Sequence, residues 1–232
     1  MSQIVDLPDM GTVRYSLAQV PDYGDSQTAA VLGLMIQYAT EDADSPQVRQ
    51  AVEDARRQYP GMRGEEQIWR YVRSRVRFVQ DEVLATPFQR WDLDYIVETL
   101  IRPRDLLSLP VPVARGDCDD YSMLVASMAL AMGYDNVRYV TVAADERDPQ
   151  QFSHVYVAVY HDGGRFVIDA SHGLYPGWEV SGPGVYRKTE WPVRGAFAIP
   201  LDIDRIRVPA LVLGTLGLIY LATKKKTVRG EY

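Results

Sequence analysis

Four residues, His161-Asp162-Gly163-Gly164, limit what this chain can fold into more than any other stretch. They separate two strand-like runs, residues 152–160 and 165–170, both rich in β-branched and aromatic side chains. Asp-Gly is a favoured pair for a two-residue hairpin turn, because that turn needs positive φ at both central positions. A two-residue turn here pairs His161 with Gly164 and, counting back, sets Tyr156 opposite Asp169. His154 then shares the face of Tyr156 and lies diagonal to Asp169. Diagonal neighbours stand about 7–8 Å apart at the backbone, within reach of an Asp–His hydrogen bond. A three-residue turn would send His154 to the opposite face and the pair would fail.

Upstream, residues 117–132 read as a helix. Asp117 is a good N-cap with Asp120 three residues on, Leu124, Val125, Met128 and Met132 form an apolar face, and Gly133 supplies the stop. Cys118, the chain's one cysteine, falls in the first turn. A thiol is a useful nucleophile only as thiolate, and a helix N-terminus lowers a thiol pKa without a metal. A lone cysteine is commonly a small buried hydrophobe, but this one is flanked by Asp117, Asp119 and Asp120 and lies in no apolar segment. Three carboxylates would raise its pKa. The expectation is that Asp117 and Asp120 are engaged in capping, and that the helix dipole with cationic His154 outweighs the rest. Of the other histidines, His172 is a rival base in a loop and His161 a turn residue.

The remaining chain divides by texture. Residues 1–25 are turn-rich, with a strand expected over 11–20. Residues 26–80 read as three helices: one capped by Ser26, one starting at Ser45-Pro46 and ending near Tyr59-Pro60-Gly61, and one from Gly64 with Glu65 and Glu66 in its first turn. On the third, Ile68, Trp69, Val72, Val76 and Phe78 share a face, and Arg70, Arg73, Arg75 and Arg77 read as a solvated one. Residues 81–116 carry Pro87, Pro103, Pro110 and Pro112, expected to break regular structure and to form one wall of a site. Residues 137–143 add another strand-like run.

Composition excludes several classes. With 232 residues and a net charge of −6, the chain has no basic stripe to neutralise phosphates, so no nucleic-acid partner is expected. One cysteine forbids an internal disulfide, and with three histidines it leaves no zinc-ligand set. No metal or cofactor is expected. The N-terminus lacks the basic start and apolar core of a signal peptide. Residues 208–222 are uncharged, and Lys224, Lys225 and Lys226 follow. A fifteen-residue helix spans about 22 Å against a hydrocarbon core of about 30 Å, so this apolar tail is a candidate membrane anchor only if Thr223 and snorkelling lysines extend it. The alternative is a buried element with a basic tail.

Arg115-Gly116-Asp117-Cys118-Asp119-Asp120-Tyr121-Ser122, then Phe152-Ser153-His154-Val155-Tyr156-Val157, then Phe166-Val167-Ile168-Asp169-Ala170 resemble the transglutaminase-like superfamily. That group is similar to papain-type cysteine peptidases in its central architecture. The resemblance covers residues 99–171. It implies an α+β fold with a helical N-terminal part and a central Cys-bearing helix packed on an antiparallel sheet. It further implies Cys118 as nucleophile, His154 as general base and acid, and Asp169 as the group orienting the imidazole. Two departures stand out. Many members carry His-x-Trp where this chain has Tyr156, and the upstream tryptophan that serves some members as oxyanion donor has only Trp91 as a counterpart, with core packing or a loop anchor as its alternatives. Tyr156 and Trp91 are accordingly candidate substrate or oxyanion contacts.

These readings divide the chain into a helical part (1–80), a catalytic core (81–207) and an apolar segment with a basic tail (208–232). The expected activity is thiol-dependent acyl transfer on amide bonds of a protein or peptide, by a peptidase, amidase or deamidase first and a transglutaminase next. A different class is a structural or assembly protein, membrane- or virion-associated, that reuses the fold and contacts a membrane or a multiprotein assembly through 208–226. Localisation is expected to be cytoplasmic, or membrane-associated through that tail.

Overall fold

The computed structural model of the protein describes residues 2–7, 11–21, 24–80, 95–111, 114–162 and 164–194, with backbone only for 2–7, 11–21 and 95–98. Trp91 and the apolar segment 208–226 lie outside the described residues. Among the described residues, no helix is long and apolar enough to cross a membrane.

Chain order opens with β1 (Ser2–Leu7) and β2 (Gly11–Pro21). They pair antiparallel from Leu7 opposite Gly11 to Ser2 opposite Ser16. β1 was not expected; its run is too short to show a pattern of its own. β2 also pairs with β4 (Tyr95–Leu100), completing a three-stranded sheet in the order β1-β2-β4.

Three helices follow: α1 (Gly24–Asp42), α2 (Pro46–Gln58) and α3 (Gly64–Arg75). α2 starts where its residues direct, with the Ser45 hydroxyl accepting the Val48 N–H at 3.3 Å and Pro46 supplying a preset φ without wasting a donor. α3 ends sooner than its apolar spacing suggests. Val76 turns extended, and β3 (Arg77–Phe78) runs parallel to β5 (Arg115–Gly116), so Val76 and Phe78 are not on the helix face. The β-branched and aromatic run Val76-Arg77-Phe78-Val79 finds a backbone partner there, with Val79 N–H donating to Gly116 O at 3.0 Å.

Pro103 begins a helix rather than breaking one: it occupies the first position of α4 (Pro103–Ser108). β5 leads directly into α5 (Cys118–Met132), which is buried on every side from Asp120 to Leu130. An all-round apolar helix must be central, and α5 packs against α1, α2, α3, α4 and the sheet behind it. Asp117 and Asp120 form a reciprocal capping box at its start, and Gly133 ends it in the left-handed region at φ 96°.

The larger sheet is four-stranded and antiparallel, in the order β8-β7-β6-β9. Its strands are β6 (Asn136–Ala143), β7 (His154–His161), β8 (Gly164–Ile168) and β9 (Arg187–Pro192). His161 pairs with Gly164 and Val157 with Ile168, the register of a two-residue turn, with Asp162 at φ 49°. One sheet face, including Tyr139, Val155, Val157, Val159 and Ile168, joins the helices in one hydrophobic core. The other holds a smaller cluster of Val140, Val142, Tyr156, Ala158 and Val167, covered in part by Val180. β9 was unforeseen: Arg-Lys-Thr-Glu-Trp-Pro has no apolar run, as suits an edge strand with few buried side chains.

Candidate functional site

The site forms where the start of α5 meets the start of β7 and the end of β8. Cys118 occupies the first helical position because Asp117 caps the helix, its Oδ1 accepting the Asp119 N–H at 2.9 Å. At that position the Cys118 backbone N–H has no intrahelical partner. The Ser122 hydroxyl, one turn on, donates to Val155 O at 3.0 Å and ties α5 to the strand beside His154. Gly116 is needed just before the cap, because a Cβ there would stand 2.6 Å from Asp120 Oδ2.

His154 opens β7, and Asp169 follows the last residue of β8. His154 Nε2 lies 2.9 Å from Asp169 Oδ2, the diagonal contact that the hairpin register dictates. Asp169 is 2% exposed and its other oxygen is fully committed. Oδ1 accepts the Ser171 hydroxyl at 3.0 Å and the His172 N–H at 2.9 Å. Burial opposes its charge, but the His154 contact and these two donors hold the carboxyl below the usual carboxylate range. An ionised Asp169 accepts only, so the proton sits on Nε2 and leaves Nδ1 as the imidazole's lone-pair nitrogen.

The loop carrying Asp169 is anchored from α3. The Trp69 indole N–H donates to Asp169 O at 2.8 Å, and Arg73, stacked over the Trp69 ring, donates to Gly173 O at 2.9 Å. Arg75 reaches Leu107 O and Leu109 O at 2.6 and 2.7 Å. Arg70, Arg73 and Arg77 are exposed as expected and Arg75 is half-buried, and Arg73 and Arg75 in addition clamp backbone carbonyls. Gly173 N–H donates to Asp169 O at 3.1 Å, and a Cβ on Gly173 would collide with that oxygen at 2.3 Å.

Cys118 departs from the sequence expectation. Burial, then the charges of Asp117 and Asp119, push its thiol well above the ordinary value, with the Val155 N–H opposing. Desolvation outweighs the helix end. Asp120 is fully buried and takes the Ile101 N–H at 2.7 Å and the Asp117 N–H at 3.4 Å. Asp119, whose role the sequence did not suggest, accepts a hydrogen bond from the thiol at 3.5 Å. Burial pushes its carboxyl up to about 6, although the Cys118 bond and the charge of His154 act to lower it.

The remaining candidates are placed as follows. Tyr156 is buried, its ring 5.7 Å from that of His154, and its hydroxyl donates to Glu179 at 2.6 Å, so it packs beside the imidazole with its donor already used. His172 lies in the loop with its ring edge-on to His154 at 4.5 Å and to Phe78 at 4.7 Å. His161 is more than a turn residue: its Nε2 contacts the buried carboxylate of Glu65, linking the hairpin to α3. Two groups among the described residues bring metal-ligating atoms within 4.8 Å, namely His154 with Asp169 and His172, and Asp117 with Cys118 and Asp119. Hydrogen bonds within and around each group account for both.

A family model described as a transglutaminase-like domain matches residues 36–178, more than half of the chain and all of this site. The chain belongs to the transglutaminase-like family. That family is one of thiol-dependent enzymes, broadly cysteine peptidases and acyltransferases. Two solved structures share 14% identity with it. A TGase aligns over 62% of this chain and 35% of its own, at a TM-score of 0.34. A candidate cysteine protease from Cytophaga hutchinsonii aligns over 69% of this chain and 50% of its own, at a TM-score of 0.35. The chain thus spans at most half the length of these structures. No curated protein matches it.

Proposed function

We propose that the protein is a thiol-dependent acyl-transfer enzyme acting on amide bonds of a protein or peptide, with Cys118 as nucleophile, His154 as base and acid, and Asp169 as the residue orienting the imidazole. The observation that carries this reading is the His154 Nε2 contact to Asp169 Oδ2 at 2.9 Å, next to a capped helix whose first residue is the only cysteine. A carboxylate saturated by three donors does not swing away, so it fixes both the ring's orientation and its tautomer.

In the reaction, Cys118 Sγ attacks the amide carbonyl carbon while its proton passes to His154 Nδ1. The carbonyl π pair moves to oxygen, where the Cys118 backbone N–H at the helix start is a candidate donor. Collapse of the tetrahedral intermediate expels the amine, which takes the proton from His154 and leaves a thioester. Water or a second amine then resolves the thioester. Hydrolysis is the first expectation, because His172, Leu174 and Tyr175 beside the site are exposed to solvent.

An activated ester tests this. With p-nitrophenyl acetate, the full chain is expected to release a burst of about one p-nitrophenolate per chain and to carry an acetyl group on Cys118 by mass spectrometry. Cys118→Ala should abolish the burst and His154→Ala should slow it. An undiminished burst in Cys118→Ala would overturn the assignment. Adding a primary amine then separates transfer from hydrolysis by the product formed.

A further inference from the structure

Most exposed or half-buried arginines of this acidic chain meet an acid: Arg49 meets Asp44, Arg102 meets Asp42, Arg165 meets Glu179 and Arg187 meets Asp25. Arg73 on α3 is exposed and has no carboxylate partner among the described residues. Its position is nonetheless fixed. The guanidinium lies 5.1 Å over the Trp69 ring, and Nη1 donates to Gly173 O at 2.9 Å and to Ala170 O at 3.4 Å. The Nε and Nη2 edge, a planar pair of donors matched to a carboxylate, is left without a partner among the described residues. An arginine already held in one orientation loses little freedom when it binds an anion.

Two interactions place this guanidinium at the site. Its charge acts on His172, whose ring stands edge-on to His154 at 4.5 Å, and on Tyr121, one turn beyond Cys118 in α5. It does not serve Asp169, whose oxygens are taken by His154, Ser171 and His172. The loop that Arg73 holds continues into Leu174 and Tyr175, 71% and 59% exposed, an apolar surface of the kind a peptide covers. His154 hands its proton to the leaving amine, so the amine-bearing half of the substrate lies against the imidazole, on the side that His172 and Arg73 border.

We propose that Arg73 is a carboxylate subsite on the amine side of the reaction: its Nε and Nη2 edge receives an acidic group of the residue whose nitrogen leaves Cys118-bound acyl carbon, or attacks it. The proposal rests on the acyl-transfer reading and names its substrate class, a peptide amide followed by a carboxylate-bearing residue. The carboxylate belongs either to an Asp or Glu side chain or to a free chain end. In the transfer direction the amine nitrogen bonds to the thioester carbon, the C–S bond breaks, and the amine proton passes through His154 Nδ1 to sulfur. Arg73 neither gains nor loses a proton.

Three amines of one skeleton separate the cases: aspartic acid α-amide, with a side-chain carboxylate; asparagine, with an α-carboxylate; and asparagine amide, with neither. Each is given to the full chain acetylated on Cys118 by p-nitrophenyl acetate, and the acetyl-amine formed is measured per unprotonated amine. One of the two acids should exceed asparagine amide by about tenfold, and which one does so identifies the source of the carboxylate. Arg73→Gln should bring that ratio close to one. Because Arg73 also holds the loop of Asp169, the ratio between amines is read and not the absolute rate. Equal rates for the three amines in wild type, or a preference that survives Arg73→Gln, overturns the proposal; should Arg73→Gln not fold, the wild-type ratio decides alone. Alkylation of Cys118, the chain's one cysteine, needs no acyl transfer. The iodoacetate to iodoacetamide rate ratio should fall about threefold in Arg73→Gln. Absent acetyl-Cys118 with that fall intact means that the acyl-transfer reading has failed and the anion subsite stands; acetyl-Cys118 without an acid preference means the reverse.

Discussion

Replacing Asp169 with asparagine perturbs one proton position and little else. The native carboxylate accepts from His154 Nε2, from the Ser171 hydroxyl and from the His172 N–H. An asparagine in the same place has one oxygen, and two of the three donors, Ser171 and His172, converge on a single side. The amide NH2 therefore faces His154 Nε2 and requires it to accept, which moves the ring proton to Nδ1 and blocks the nitrogen that would take the thiol proton. The corresponding change in Ser-His-Asp triads costs about 10⁴ in rate, or about 5 kcal/mol of barrier. Stability changes far less. One hydrogen bond to a charged group is lost, about 1.5–3 kcal/mol, against a typical total of about 5–15 kcal/mol. The melting temperature should fall by about 3–12 °C. Two readouts check this. The acylation rate with p-nitrophenyl acetate should drop by two to four orders of magnitude. The ¹⁵N shifts of the three imidazoles should show His154 changing from an Nε2–H to an Nδ1–H tautomer. A variant that keeps the Nε2–H tautomer and the wild-type rate would refute the reasoning about Asp169.

Further outcomes follow from the same contacts. Gly173→Ala places a Cβ 2.3 Å from Asp169 O, a backbone atom also held by Trp69 and unable to yield; thermal unfolding should show a loss of about 2 kcal/mol or more, with slower acylation. The pH dependence of urea unfolding should carry two opposed signatures. Asp169 is lowered in the fold, so its contribution is present above the unfolded value of about 3.9 and is lost as pH falls through the folded value. Asp119 is raised to about 6, so its contribution is complete below about pH 4 and is lost as pH rises through about 6. Wild type should therefore gain stability as pH falls from 7 toward 5, with Asp119 supplying at most about 3 kcal/mol beside Asp120 and His161, which are also raised in the fold, and Asp119→Asn should lose the Asp119 share. Equal slopes for the two proteins over this window would remove Asp119 as its source.

Much of the architecture is legible locally. Ser45-Pro46 and Asp117 with Asp120 carry their caps in side chains one to three residues from the N–H groups they satisfy. The Asp162-Gly163 turn sets a register that propagates by simple counting to His154 and Asp169. Elements defined by a distant partner are not legible in this way. β1 and β9 pair with strands whose presence their own residues do not signal. Val76 and Phe78 continue a helical apolar spacing yet leave the helix, because the segment before Cys118 offers β3 a parallel partner. Arginines at helical spacing look alike in sequence, and only the positions of the Gly173 and Leu107 carbonyls make Arg73 and Arg75 into clamps.

The sequence by itself determined the capped helix that starts at Cys118 and the hairpin register that sets His154 diagonal to Asp169, because capping, turn chemistry and the two-residue period of a strand act over a few positions. Only the tertiary structure decided the state of the thiol. The helix end favours its ionisation, but burial beside β7 and the charges of Asp117 and Asp119 oppose it, and desolvation is a property of everything packed around a group rather than of its neighbours in the chain. The same holds for the anchoring of Asp169 by Trp69 from 100 residues away.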